Sequence, residues 1–173
     1  MKDPRPEPAS GDFSTTPLGD GLTLFAWMSL LLGLGAGTGA LFAPDAWYLA
    51  LLKPTFNPPA WLFGPVWSAL YLMMAVALWL VRRDRDADPV QRRRASTLFA
   101  VQFVLNLLWT PLFFGLHSPG LAFVDICLLW IALLTTMLAF GRVRPLAGYL
   151  LLPYLLWVSF ALVLNGTIWL MNA

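Results

Sequence analysis

The sequence is short of charge. Asp, Glu, Lys and Arg supply 12% of its 173 residues, where a soluble domain carries roughly 25%. Apolar residues supply 59% and mean hydropathy is +0.71, so an ordinary water-soluble domain is excluded. There is one cysteine and one histidine. Cys127, alone inside an apolar run, builds no disulfide framework, and one histidine beside it leaves too little for a transition-metal site. No nucleotide-binding glycine pattern, metal-ligand spacing or nucleophile elbow occurs. No long internal repeat occurs either, so the inverted-repeat design of many transporters has no support. The formal net charge is +2, but the bases sit in loops beside apolar spans. They read as topology signals, and neither a nucleic-acid partner nor a cofactor is expected.

In place of charge there are five apolar runs, at 22–42, 61–81, 95–116, 121–140 and 146–171. Each is near the ~20 residues that cross a bilayer. An open sheet would leave backbone groups unpaired in lipid, so each run must be a helix. The expected fold is an all-α membrane protein, a five-helix bundle over 22–173. Residues 1–21 are rich in Pro, Asp, Ser and Gly, cannot bury a core, and are expected to be a disordered tail. A cleaved signal peptide fits less well, because the polar lead is too long and too acidic.

Arginine sets the topology. With five spans, the N-terminus and the loops at 82–94 and 141–145 share one face. That face holds ten of the eleven Lys and Arg residues, and the other has only Lys53. This bias places the N-terminus in the cytoplasm and the C-terminus outside, as in a bacterial inner membrane. The stretch 47–67, WYLALLKPTFNPPAWLFGPVW, then lies on the outer face. Its four prolines forbid one continuous helix. It reads as a rigid aromatic loop that starts a helix at Trp61.

Polar residues within spans are costly and face a cavity or another helix. Gln102, Asn106, Trp109 and Phe113 share one face of the third span. Tyr149, Pro153, Trp157, Ala161 and Asn165 form a stripe on the fifth, and Gly64, Trp67, Tyr71 and Met74 one on the second. Asp125, the only ionisable residue placed within a span, shares a face with Leu121 and Leu128, and a structural bond to a loop is expected for it. These stripes meet in the outer half of the membrane, beneath the loop, where they would line a mostly apolar cavity with a few polar anchors. Indole rings there would stack on a flat aromatic ligand. Asn106 and Asn165 serve equally as interhelical hydrogen-bond glue. Trp27, Trp47, Trp79 and Trp169 fit an interfacial belt. His117 reads as an exposed loop residue, and Pro111 and Pro153 as kinks. In the first span, Gly33 with Gly37 and Gly35 with Gly39 form two GxxxG pairs, which suit packing inside the monomer or between two copies.

Four blocks, WYLALLKPTFNPPAWLFGPVWSALY, QFVLNLLWTPLFFG, LAFVDICLL and PYLLWVSFALVLN, resemble in order and spacing those of the TspO/translocator protein family, the tryptophan-rich sensory proteins or peripheral benzodiazepine receptors. The resemblance implies a five-helix bundle, often dimeric, that binds porphyrins such as protoporphyrin IX, membrane lipids, and benzodiazepine or isoquinoline ligands. Carried onto this chain, it implies pocket positions at Gly37 and Ala40, at Phe63, Gly64, Val66 and Trp67, at Trp109, Leu121 and Leu128, and at Trp157, Ala161, Leu164 and Asn165. Some bacterial members are described as degrading protoporphyrin IX in light, with the tryptophans matching Trp67 and Trp157 implicated as catalytic, and some are placed in the outer membrane. Many members have tryptophan where this chain has Phe56 and Leu121. The cholesterol motif of animal members is absent from the LVLNGTIWLMNA end. Three activities stay open on the sequence: a tetrapyrrole sensor or receptor, a light-dependent porphyrin-degrading enzyme, and a porphyrin or lipid transporter.

Overall fold

The computed structural model describes residues 17–173. Most of the expected tail lies outside them, but its last five residues do not: Pro17 opens the first helix, α1 (Pro17–Leu41). The apolar count missed this turn because Gly and Asp dominate it, and helix propagation from the run behind it costs little.

Four more segments cross the bundle, so among the described residues five are long and apolar enough to span a membrane. They are α3 (Ala60–Arg83), α4 (Pro89–Thr110) continued by a π-helical turn (Pro111–Gly115), α5 (Pro119–Val143), and the pair α6 (Pro145–Leu150) and α7 (Leu152–Met171). A short helix, α2 (Ala46–Ala50), stands in the loop after α1. Among the described residues there is no strand. Starts are written in the sequence. Asp45, Asp88 and Ser118 each accept a backbone N–H of the following turn, satisfying donors that a helix start leaves orphaned. Prolines follow at the first positions of α4 and α5, where a missing N–H costs nothing.

The two expected kinks take different forms. Pro111 turns the end of the third span into a π turn, with the Leu116 N–H reaching back to the Pro111 carbonyl at 2.8 Å. Pro153 splits the fifth span at Leu151, since its ring cannot accept the preceding turn. The split also corrects the fifth stripe: Tyr149 sits on α6 and is 71% exposed, apart from Trp157 and Asn165 on α7.

The core is built on α3, α4, α5 and α7, around Met74, Leu78, Phe99, Leu129, Leu133, Phe140 and Val158. Phe99 stacks on Phe103 and Phe140 at 6.0 and 5.8 Å. α1 stands at the edge, against α3 and α4. Its Gly35 is seated on the Tyr71 ring, where an added Cβ would come within 2.2 Å of Cε2. Gly33, Gly37 and Gly39 meet nothing within 4 Å. One glycine of the two GxxxG pairs therefore packs within the monomer, and the other three do not.

The arginine segments gather at one end of the bundle as expected. Asp20 of α1, Arg82 and Arg83 of α3, Arg92 and Arg93 of α4, and Arg144 all border a single cleft. Lys2 and Arg5 lie outside the described residues.

Candidate functional site

The site begins with the loop at the opposite end. Asp45 caps α2 through the Tyr48 N–H at 3.2 Å and pairs with His117 Nε2 at 2.9 Å. The His117 ring stacks on Trp47 at 4.4 Å and 20°. His117 holds this pose at a φ of 50°, a left-handed backbone that costs a non-glycine residue about 1–3 kcal/mol. It is thus a fastener between the first loop and the α4–α5 turn, not a bystander. Trp47 likewise belongs to this fastening, with Phe113 edge-on at 5.9 Å. The Tyr48 N–H, together with His117, holds the Asp45 carboxyl below its ordinary 3.8 against a smaller opposing effect of burial. Lys53 is occupied too: its ammonium donates to the carbonyls of Leu49 and Leu51 and lies 4.6 Å from the Tyr48 ring centre. The two bases on this face are both tied down.

A second fastener comes from the far end of the chain. Asn172 accepts the Leu52 N–H at 2.9 Å and donates to the Leu52 carbonyl at 3.0 Å. This is the exchange two paired strand residues make, here between a side-chain amide and the loop backbone. Nothing in the sequence pattern marked Asn172.

Beneath the loop, α3 and α7 do not approach closely along their backbones. Large rings bridge the gap. Phe63 meets Trp157 edge-on at 5.9 Å, and Trp67 meets Tyr154 at 6.0 Å. Trp157 contacts Phe160 at 5.7 Å, and Phe56 of the loop reaches Phe160 at 6.4 Å. Trp67 also lies 5.5 Å from Tyr71. Trp67, Trp157, Phe63, Val66 and Ala161 are half-buried, so a face of this aromatic lining stays accessible. The spacing of α7 picked out Trp157 and Ala161; Tyr154 and Phe160, three residues to either side of Trp157, complete the same face and were overlooked.

The expected polar anchors divide. Asn165 accepts the Trp109 indole N–H at 2.9 Å and donates to the Pro119 carbonyl at 2.9 Å. Asn106 accepts the Tyr71 hydroxyl at 2.9 Å. Both amides act as glue between helices. Trp109 itself stacks on Phe113 at 5.0 Å and belongs with the loop fastening more than with Trp67. Leu164 is buried in that same cluster. Asp125 is only 4% exposed, and one carboxylate oxygen has no hydrogen-bond partner among the described residues, so the expected bond to a loop is not made.

The remaining five implied pocket positions are exposed or half-buried. Leu121 and Leu128 are 54% and 52% exposed, because they sit on one flank of Asp125 and the seam of α5 passes on its other side. Ala40 and Gly64 are exposed as well, and Gly37 is half-buried with open space at its Cβ.

The molecule so described is an integral, multi-pass helical membrane protein whose end opposite the arginines carries a fastened loop over a half-buried cluster of aromatic rings. The TspO/MBR family model matches residues 26–170, and the chain belongs to that family. It is 47% identical to the tryptophan-rich protein TspO of Chlorobaculum tepidum over 153 residues, covering 87% of this chain and 96% of that one. It is 37% identical to protein CrtK of Rhodobacter capsulatus, covering 87% and 94%. It is also 37% identical to the human translocator protein, covering 82% and 85%.

Proposed function

We propose that the protein is a membrane receptor for a flat, largely apolar ring ligand, a tetrapyrrole such as protoporphyrin IX, bound between α3 and α7 under the loop. One observation carries this reading: Phe63, Trp67, Trp157 and Phe160 bridge two helices that stay apart, and Phe56 closes over them. Rings held edge-on by their neighbours are pre-positioned to stack, and each aromatic pair is worth about 0.5–1.5 kcal/mol beyond its area. The nearby amides are spent within the protein, Asn106 on Tyr71 and Asn165 on Trp109 and Pro119, so recognition rests on ring faces more than on hydrogen bonds. Benzodiazepine- and isoquinoline-type compounds and lipids would use the same rings. The arginine end faces the cytoplasm of an inner membrane in this reading, and two copies pair in the bilayer.

The test is intrinsic tryptophan quenching by protoporphyrin IX in detergent. Saturable quenching that weakens about tenfold in Trp67→Phe with Trp157→Phe is the expected result. Non-saturable quenching, or the same curve in the double variant, overturns it.

The enzymatic reading gains from Tyr71 and Tyr154 lying beside Trp67, since these are oxidisable rings. Illumination with oxygen separates the two: a receptor returns the porphyrin spectrum unchanged, whereas a degrading enzyme leaves a new absorbing product that disappears with Trp67 and Trp157.

A further inference from the structure

The arginine end holds a feature that topology alone does not require. An open cleft of about 1070 Å³ lies among the start of α1, the end of α3 and the start of α4, with Arg144 from the α5–α6 junction on its border. Six arginines and three aspartates line it, a net charge of +3. One wall is rigid. The Trp79 indole donates to the Asp20 carbonyl at 3.2 Å, Arg83 pairs with Asp20 at 3.4 Å, and the Arg83 guanidinium lies 4.1 Å over the Trp79 ring. Opposite, Arg92 donates to the Asp84 carbonyl and the Ala87 N–H bonds the Asp84 carboxylate at 3.1 Å, which fixes the turn that carries the remaining arginines.

Not every charge is spent on this scaffold. Arg93 and Arg144 make no ion pair among the described residues. Loop arginines that only set orientation have no need to converge on a concave surface from separate segments. Guanidinium groups so placed suit phosphate, which they bind through paired N–H donors.

The position selects the source of that phosphate. The cleft sits where the spans end, and the helices bounding it continue into the bilayer with exposed apolar flanks on the same side: Leu30 and Leu34 on α1, Val101 and Val104 on α4. A free anion would use the arginines and leave the flanks bare. A phospholipid fills both, with its headgroup in the cleft and its chains along α1 and α4. Basic pockets between transmembrane helices bind anionic headgroups in this way. We infer that the cleft lined by Arg93 and Arg144 is a binding site for the headgroup of an anionic phospholipid, at the opposite end of the molecule from the aromatic cleft.

The full chain, stripped of lipid in detergent, is offered dioleoyl phosphatidylglycerol or dioleoyl phosphatidylcholine, and bound lipid is counted by native mass spectrometry. The expected result is roughly tenfold or greater preference for phosphatidylglycerol at low salt, lost in Arg93→Gln/Arg144→Gln. Arg94→Gln/Arg142→Gln removes the same charge from the same end but outside the cleft, and should keep the preference. Equal retention of the two lipids by the wild type overturns the site. So does an equal loss in both double variants, which would mean diffuse surface charge. Displacement of phosphatidylglycerol by millimolar inorganic phosphate would assign the cleft to a free anion instead. Should the cleft variant not fold, by its thermal melt, the wild-type comparison and the phosphate competition still decide the matter.

Discussion

Gly35 shows how much one missing methyl group can hold. Its Cβ position is already filled by the Tyr71 ring, and Tyr71 in turn is bonded to Asn106. Gly35→Ala should therefore lower stability by about 1–3 kcal/mol as the ring is forced aside, whereas Gly33→Ala, with open space around it, should stay within about 1 kcal/mol of wild type. Denaturant melts in detergent compare the two, and equal effects would show that α1 does not pack through Gly35. Asn165 is a second case. Asn165→Ala leaves the half-buried Trp109 N–H without its acceptor and the Pro119 carbonyl without its donor, at a cost of about 1–3 kcal/mol. Binding of the ring ligand should change less than stability does, because Trp109 stacks away from the Trp67 cleft. A quenching constant that collapses along with the melt would instead return Asn165 to the pocket wall.

Among the elements, the loop after α1 differs most from its sequence reading. The prolines of 47–67 correctly forbade a long helix, but they concealed α2, whose five residues are too few for a periodic signal. They also gave no hint of what holds the loop down, since the Asp45–His117 pair spans 72 positions and the Leu52–Asn172 exchange spans 120. Helix periodicity finds partners three or four residues apart and is silent about these. Asn172→Ala should speed hydrogen exchange across residues 51–59 and hasten ligand release, with little change in the global melt. The Asp45 fastening carries a pH dependence of known sign. Its carboxyl titrates below the ordinary 3.8 in the folded protein, so its contribution is present above that value and is lost as pH falls through the lower, folded one. Limited proteolysis at residues 43–59 should accelerate below about pH 3.8. In Asp45→Asn it should start fast and lose that dependence.

For the whole molecule, span number, helical class and the gathering of arginines at one end were legible because a bilayer leaves so few alternatives for an apolar run. The rings of the candidate site were legible in part. Trp67, Trp157 and Ala161 fell out of helical spacing, while Leu121 and Leu128, beside Asp125 on α5, stand exposed. A residue's angle on α5 places it near a seam but does not say on which side of Asp125 the neighbouring helix lies. The direction of insertion has its own test. In a Cys127→Ser background, Lys53→Cys should react with a membrane-impermeant thiol reagent on intact cells, and Arg93→Cys only after permeabilisation. The reverse pattern would invert the molecule and put the aromatic cleft on the cytoplasmic side.

The pairing of Leu52 with Asn172 joins the first loop to the end of the last span, 120 residues later. During synthesis the first two spans enter the membrane long before residue 172 exists. The loop between them must wait, unlatched, until the final helix has arrived and docked. The aromatic cleft is therefore assembled last, and a chain halted before its fifth span would sit in the bilayer without a finished site.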